Sequence, residues 1–201
     1  IDSEKLVMLE IGSRFSTEYV EGSLSFYSGK KRDSIFRDAE NFIQDHGKTN
    51  HKGLELFVRL EINEINSLFL AGTFQNHKYD FSSETSMKEK IDSGNYVDTS
   101  PRTSFNLRWV NLFSNNMKSE IEVEHMGSYY TDAANLHKYE GHTLIHSRFV
   151  YFYRDKLTQF IRIHNLLGED YAERADFNAF GGDRYFPGLP RQVYFGLEYA
   201  F

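Results

Sequence analysis

The chain has 201 residues, of which 16% are aromatic, only three are proline and none is cysteine. These counts exclude collagen-like, proline-rich and disulfide-stapled proteins. The formal net charge of −6 argues against a protein that coats the phosphates of nucleic acid. We therefore expect a folded chain without a nucleic-acid partner.

Hydropathy excludes a helical membrane protein. No segment approaches the roughly 18 consecutive apolar residues that cross a bilayer as a helix, and the mean hydropathy is −0.56. A transmembrane β-barrel stays possible, because barrel strands carry an apolar residue only at every second position and give a weak hydropathy signal.

Apolar and polar residues alternate along most of the chain, which predicts strands with one face in an apolar phase and the other in a polar one. From 51 to 62, for example, Leu54, Leu56 and Val58 alternate with Glu55 and Arg59. In chain order the pattern predicts nine strands, at about 5–15, 18–30, 50–63, 66–80, 102–114, 116–130, 142–154, 156–167 and 190–201.

Short and long connections take turns between these strands. Short connections are predicted near 16–18, 63–65, 114–116 and 154–156, and long ones near 31–50, 81–101, 131–141 and 168–190. All long connections then lie at one end of the sheet, as in outer-membrane barrels. Aromatic residues also gather at the predicted strand ends, where lipid headgroups favour amphipathic rings. The fold class predicted is all-β, an antiparallel up-and-down transmembrane β-barrel.

Two alternatives make different structural predictions. A soluble β-sandwich would bury Phe105, Leu107 and Trp109 against a second sheet. A small envelope enzyme on a barrel of about ten strands would close from this chain alone. Its histidine and acidic side chains would converge within about 3 Å at one rim.

Several groups of polar residues are candidates for chemical sites. Glu120, Glu122 and Glu124 form a carboxylate row on the polar face, and Arg108 and Arg148 on flanking strands predict ion pairs across it. The histidines could form a cross-strand metal site, but His142 and His146 should stand about 13 Å apart. Oxygen-rich segments at 92–95 and 132–135 lack the complete ligand spacing of a calcium loop. The sequence therefore predicts neither a catalytic residue nor a metal ligand, and no cofactor.

Four segments resemble the barrels of TonB-dependent outer-membrane receptors. One is Gly127-Ser128-Tyr129-Tyr130-Thr131-Asp132-Ala133-Ala134-Asn135, and another is His164-Asn165-Leu166-Leu167-Gly168-Glu169-Asp170-Tyr171-Ala172. The third and fourth are the loop from Gly181 to Arg191 and the strand entry from Gly47 to Glu55. In the second segment we expect the Asn165 side chain to satisfy backbone groups where strand pairing ends.

The resemblance implies a bacterial outer-membrane receptor that is not an enzyme and that imports an iron chelate (siderophore) or a similar scarce nutrient. Family barrels close at 22 strands around a plugged lumen. Nine strands therefore imply that residues 1–201 are the C-terminal portion of a barrel, without the plug and the first half. The implied partners are the ferric chelate, TonB acting through the plug, the barrel-assembly machinery and outer-membrane lipid.

The resemblance also implies two sets of site residues. Aromatic and charged residues in the long connections are candidates for ligand contact, because guanidinium groups bind carboxylates in forked pairs: Arg37, His46, Tyr96, His137, Tyr139, Arg174, Arg184 and Tyr185. The alternating residues of the last strand resemble the family's C-terminal barrel-assembly signal: Val193, Phe195, Leu197, Tyr199 and Phe201.

Overall fold

The computed structural model describes residues 3–38, 41–84, 90–153 and 156–200. The long strands in this part of the chain are β1 (Lys5–Ser16), β2 (Val20–Arg37), β3 (Ile43–Asn63), β4 (Asn66–Tyr79), β7 (Thr103–Ser114), β8 (Met117–Met126), β11 (His142–Tyr153), β12 (Leu157–His164) and β15 (Gln192–Tyr199). Short strands occupy the connections: β5 (Ser83–Glu84), β6 (Lys90–Ile91), β9 (Tyr129–Tyr130), β10 (Lys138–Tyr139), β13 (Ala172–Asn178) and β14 (Gly182–Pro187). In the described residues, no helix has the length and apolar character needed to cross a membrane.

The nine long strands form one antiparallel sheet in the order β1-β2-β3-β4-β7-β8-β11-β12-β15. Each strand pairs with the next long strand along the chain, so the up-and-down topology and the strand number are confirmed. Among the described residues β1 and β15 each have a single partner, and the sheet is open at both edges. The closed barrel expected of the small-enzyme alternative is not formed.

Strand register places the apolar residues of all nine strands on one face. Leu70 of β4, for example, lies directly opposite Val58 of β3 and Leu107 of β7, and directly opposed residues share a face. We call this surface the apolar face; its members include Ile11, Leu24, Leu56, Leu70, Leu107, Val123, Ile145, Ile161 and Phe195.

The apolar face is not covered by a second layer within the described part of the chain. Trp109 is 41% exposed and Val193 is 66% exposed. The β-sandwich alternative is therefore wrong, because it required Trp109 and its neighbours to be buried against another sheet.

The opposite surface, the polar face, carries charged and hydroxyl side chains together with scattered rings. Two of those rings cover glycines on the neighbouring strand. Tyr27 lies over Gly53 and Phe160 lies over Gly196, and in both cases the ring contacts the position that a Cβ atom would occupy. Close packing thus requires glycine at these two points.

One predicted connection is wrong. Residues 31–50 were expected to form a long loop, but β2 continues to Arg37 and β3 begins at Ile43. Pairing between the two strands runs with irregularities from Lys31–Thr49 to Arg37–Ile43. Beyond the apolar band this hairpin carries only isolated apolar residues, Ile35, Phe36 and Ile43, so the regular alternation that marks the other strands is absent. The boundaries of β8, β12 and β15 also fall a few residues inside the predicted ranges.

The last strand has the predicted alternation. Val193, Phe195, Leu197 and Tyr199 lie on the apolar face and are all more than half exposed. Phe201 lies outside the described residues, as does most of the short turn predicted at 154–156. The role of this strand in barrel assembly stays a prediction.

Candidate functional site

Four connections lie at the same end of the sheet, which we call the long-loop end: residues 38–42, 80–102, 127–141 and 165–191. Hydrogen bonds join the second of these connections to the third. The Asn135 amide accepts a hydrogen bond from the Tyr96 backbone N–H (2.7 Å) and donates one to the Tyr96 carbonyl (2.9 Å). The Thr99 N–H donates to the Tyr130 carbonyl (2.8 Å). The positive φ of Asn135, 61°, suits a residue type that tolerates this conformation.

The third connection is joined in turn to the fourth. The Tyr129 hydroxyl accepts a hydrogen bond from the Ala175 N–H (2.8 Å) and donates one to the Ala175 carbonyl (3.2 Å). The Phe177 N–H donates to the Thr131 carbonyl (3.0 Å). These contacts connect residues up to 46 positions apart in the sequence, and the connections therefore form one packed layer, which we call the loop cap.

A small apolar cluster anchors the loop cap to the ends of the strands. Tyr79, Ile91 and Ala133 are its buried members, and Phe36 and Phe81 pack against them. The Phe36 ring centroid lies 6.2 Å from that of Tyr79 and 5.8 Å from that of Phe81. The β2–β3 hairpin thus joins the cap through Phe36.

A polar pocket of about 140 Å³ opens between these connections. Arg37, Arg174 and Arg184 line it, so the structure brings three of the eight candidate contact residues together. Its remaining walls are mostly acidic and polar: Asp38, Asn41, Asp98, Thr99, Thr131, Asp132, Ala133, Asp176 and Phe177.

Asp176 organises the charges of this pocket. Its carboxylate lies 2.9 Å from the Arg174 guanidinium and 2.6 Å from Arg184 Nε. Asp176 is 6% exposed, whereas about half or more of both arginine side chains is exposed. The buried carboxylate therefore positions two guanidinium groups whose outer N–H donors face the solvent, where an anionic or carboxylate-bearing ligand could accept them.

Asp98 is an acid of the loop cap whose pKa is shifted by its surroundings. The Tyr79 hydroxyl donates a hydrogen bond to its carboxylate at 2.5 Å. Burial nevertheless raises the pKa of Asp98 above its ordinary value of 3.8, and the nearby Asp132 and Asp176 carboxylates act in the same direction. Folding thus makes the Asp98 carboxylate easier to protonate than it is in the unfolded chain.

We expect the Asp98→Asn variant to hold the loop cap together more firmly than the wild type at pH 7. An aspartate whose pKa is higher in the folded than in the unfolded protein adds stability at pH values below its pKa in the unfolded chain. This stability is lost as the pH rises through its pKa in the folded protein. Asparagine keeps an acceptor for Tyr79 without the charge. The advantage should disappear below about pH 4, as followed by proteolysis of the connections at several pH values.

Asp92→Asn is a matched control in the same connection, because its half-exposed carboxylate pairs with Lys90 at 3.1 Å. This control should show no comparable gain at pH 7. A destabilised Asp98→Asn variant at pH 7 would contradict the account.

Two further candidate residues have structural contacts within the cap. The His137 ring stacks on Phe177 at 3.8 Å between centroids, and His137 Nδ1 lies 3.0 Å from the Asp183 carboxylate. The Tyr139 hydroxyl accepts a hydrogen bond from the Ala172 N–H at 3.1 Å. Both residues therefore join the third connection to the fourth.

The other candidates lie away from the polar pocket. His46 is in the β2–β3 hairpin, beside Asp45, and Tyr185 is 56% exposed on β14. Tyr96 bridges to Lys78 of β4 and lies on the side of the apolar face. Neither composition nor spacing could have separated these three residues from the arginines of the pocket.

Sequence reasoning missed the buried acids of this site. Asp38 accepts hydrogen bonds from the Phe42 N–H (2.9 Å) and from Gln44 Nε2 (2.8 Å). Asp132 accepts from the backbone N–H groups of Leu136 and His137. The only signal in the sequence was the oxygen-rich segment at 132–135, which forms a turn in the structure.

On the polar face, the predicted ion pairs across the carboxylate row are wrong in detail. Arg108 lies opposite Glu122 and Arg148 opposite Glu120, as expected. Within the described residues neither pair approaches to 4.0 Å. The Arg108 guanidinium lies 4.8 Å from a Phe69 ring centroid instead, which offers it a cation–π contact.

Closer donors serve the carboxylates of the row. Lys118 Nζ lies 2.5 Å from Glu120, and Asn106 Nδ2 donates to Glu122 at 2.7 Å. A cavity of about 170 Å³ lies beside this row on the polar face, and Arg108, Arg148 and Arg162 are among its lining residues.

The histidines have separate partners. In the part of the chain that is described, no group of three or more histidine and acidic residues could hold a metal ion. Four histidines of this region each contact a different residue: His125 contacts Thr143, His137 contacts Asp183, His142 contacts Tyr139, and His146 stacks on His164.

The fold and the loop cap together are those of part of a β-barrel wall with its long connections packed at one end. Residues 1–166 match the family described as "TonB dependent receptor-like, beta-barrel". The chain belongs to this family of receptor barrels. A search of curated protein sequences gave no match.

Solved structures of receptors and transporters for ferric compounds have the same fold. The ferric yersiniabactin uptake receptor FyuA from Yersinia pestis matches with a TM-score of 0.81 at 17% identity over 98% of this chain. The ferric citrate transporter FecA gives 0.80 at 19% over 97%. The ferric-catecholate import receptor Fiu from E. coli K12 gives 0.78 at 17% over 98%. The chain spans 28–31% of the length of these proteins.

Proposed function

We propose that this chain is the C-terminal portion of an outer-membrane receptor that binds a ferric chelate outside the cell and admits it to the periplasm. The observation that carries the proposal is the division of a single sheet. One face is apolar across nine strands, the other is polar, and the long connections pack into a cap at one end. Family membership and the iron-chelate receptors of the same fold support this reading.

In this proposal the segment forms part of the barrel wall and makes the first contact with the ligand. The apolar face lies against outer-membrane lipid, the polar face lines the barrel interior, and the loop cap meets the ligand. Import would be energised by TonB acting through a plug supplied by the rest of the receptor. Insertion into the membrane would use the last strand as the signal for the barrel-assembly machinery. No covalent chemistry is assigned to any residue.

The arginines of the polar pocket are proposed to contact the chelate. Asp176 fixes Arg174 and Arg184, whereas Arg37 is supplied by the β2–β3 hairpin. The three guanidinium groups come from the β2–β3 hairpin and from the fourth connection, and they place positive charge around one opening. A ferric chelate with free carboxylates or an overall negative charge fits this arrangement.

We expect Arg37→Gln to weaken binding of an anionic ferric chelate by about ten-fold or more, since a hydrogen bond to a charged group contributes roughly 1.5–3 kcal/mol. The measurement uses the full-length receptor in detergent. Ferric citrate, a ferric catecholate and a ferric hydroxamate would each be titrated against its intrinsic fluorescence. Arg37 is the best choice for substitution, because removing Arg184 would also disturb the buried Asp176.

Lys90→Gln is the matched control, because Lys90 is an exposed cation of another connection and does not line the polar pocket. It should bind the same chelates as the wild type. If Arg37→Gln bound the chelates as tightly as the wild type does, Arg37 would not be a ligand-contact residue. Absence of binding and of iron-dependent growth with all three chelates would contradict the proposed function itself.

A further inference from the structure

The polar pocket of the loop cap is lined by more acids than bases. Its charged residues come from the end of β2, from the second and third connections, and from β13 and β14: Arg37, Asp38, Asp98, Asp132, Arg174, Asp176 and Arg184. When all of them are ionised, the pocket has one more carboxylate than guanidinium group. This surplus would repel an anionic ligand that enters between the arginines, and binding would be favoured if one carboxylate became neutral.

Three of these aspartates are supported as carboxylates by donors of the protein. Asp176 pairs with two arginines, at 2.9 Å and 2.6 Å. Asp132 accepts hydrogen bonds from two backbone N–H groups, and Asp38 accepts one from a backbone N–H and one from a side-chain amide. Hydrogen bonds and cations of this kind stabilise the ionised form of a carboxyl group.

The carboxylate of Asp98 has weaker support. It accepts a hydrogen bond from the Tyr79 hydroxyl at 2.5 Å and another from its own backbone N–H. Within the described residues it forms no ion pair. The carboxylates of Asp132 and Asp176 lie near it, and they act with burial to raise its pKa. Asp98 is therefore the acid of the pocket that is least supported as an anion.

The backbone next to Asp98 has an uncommon conformation. Thr99 has a φ of 51°, which β-branched residues rarely adopt. Its N–H donates to the Tyr130 carbonyl at 2.8 Å, so a contact with the third connection holds it in place. Thr99 also lines the polar pocket. Residues in strained conformations are found often at ligand sites, and the strain at Thr99 therefore points to residues 98 and 99 as a ligand contact.

We propose that Asp98 is a ligand-contact residue that binds an anionic ferric chelate as a neutral acid. When the chelate binds, the Asp98 carboxylate takes up one proton from the solvent at Oδ2, while Oδ1 continues to accept from the Tyr79 hydroxyl. The new O–H group donates a hydrogen bond to an oxygen of the chelate. The pocket then has equal numbers of carboxylates and guanidinium groups around the ligand. The inference rests on the proposed function, because it requires an anionic chelate in the polar pocket.

Proton uptake makes the affinity for the chelate depend on pH. The negative charge of the ligand raises the pKa of Asp98 further, so the bound receptor holds its proton to a higher pH than the free receptor does. Between these two pKa values the affinity falls by up to about ten-fold for each unit by which the pH rises. The arginines stay charged throughout this range. The receptor therefore binds anionic chelates more tightly in acidic surroundings.

The test is calorimetric titration of the full-length receptor in detergent with ferric citrate, a ferric catecholate and a ferric hydroxamate, the last a chelate without negative charge. Each titration is repeated in two buffers with different heats of ionisation, which gives the number of protons taken up. With an anionic chelate, the wild type should take up as much as about one proton more than Asp98→Asn at some pH between about 5 and 8. Protons exchanged by the chelate itself are the same for both proteins and cancel in this difference.

Three variants separate contact from a structural role. Asp98→Asn keeps a neutral donor and should bind anionic chelates at pH 7 at least as tightly as the wild type. Asp98→Ala lacks the donor and should bind them about ten-fold more weakly than Asp98→Asn. Asp92→Asn is the control and should keep the proton uptake of the wild type, because this half-exposed acid pairs with Lys90 and does not line the polar pocket.

The wild type alone gives a second measurement. Its infrared difference spectrum should show a carboxylic-acid carbonyl band that appears when an anionic chelate binds. Absence of this band, equal proton uptake by the wild type and Asp98→Asn, weaker binding by Asp98→Asn at pH 7, or binding of the ferric hydroxamate alone would each overturn the role of Asp98. Chelate binding without proton uptake would leave the proposed function intact, whereas no binding of any of the three chelates would contradict that function and this inference together.

Discussion

Replacing Leu70 by arginine is expected to destabilise the folded receptor by about 2–4 kcal/mol. Leu70 lies within the apolar face between Val58 and Leu107, and an arginine there would have to bring its charge into hydrocarbon. The measurement is urea-induced unfolding of the full-length receptor in phosphatidylcholine vesicles, followed by tryptophan fluorescence.

Ala71→Arg is the matched control, because it places the same side chain one residue further along the same strand. Ala71 is exposed on the polar face, opposite Phe57 and Asn106. Its substitution should cost less than about 1 kcal/mol, as is usual for surface positions. Equal costs at positions 70 and 71 would contradict the placement of the apolar face against lipid.

Replacing Asn165 by leucine is expected to cost about 3–5 kcal/mol. Asn165 is fully buried, and its side chain both accepts from the Glu169 N–H and donates to the Glu169 carbonyl, each at 2.8 Å. Leucine would leave two backbone groups unpaired, at about 1–3 kcal/mol each. It would also have to adopt the positive φ of 52° that asparagine tolerates. The same unfolding assay measures the loss.

Asn165→Gly separates the two causes. Glycine accepts the positive φ without strain but cannot make the side-chain hydrogen bonds, and we therefore expect a loss smaller than that of leucine but still above about 1 kcal/mol. A leucine variant as stable as the wild type would contradict the role given to this residue.

The strands inside the apolar band could be predicted because one face of each strand is apolar and the other is polar, so apolar and polar residues alternate along the sequence. The strand predicted at 102–114 is β7 at Thr103–Ser114, and the one predicted at 142–154 is β11 at His142–Tyr153. The β2–β3 hairpin could not be predicted in the same way, since its outer part has no continuous apolar face and contacts the loop cap only at single residues such as Phe36. Its strands are held by backbone pairing, which leaves no pattern in the side chains.

The loop cap was only partly predictable. The position of an asparagine at a strand end predicted the role of Asn165 correctly, because its hydrogen bonds to the Glu169 backbone are local. The pairing of Asn135 with Tyr96 and of Tyr129 with Ala175 joins residues 39 and 46 positions apart. Such contacts depend on which connections become neighbours in space, and residue type alone does not contain that information.

The hydrogen bonds that run from one connection to the next have a consequence for change over evolutionary time. A substitution at Tyr129 would alter the support of Ala175, and a substitution at Asn135 would alter that of Tyr96. If the proposed function holds, a lineage that acquired a new ligand could not remodel one segment alone. Innovation should concentrate in side chains such as Arg37 that face the opening without holding a neighbouring segment in place.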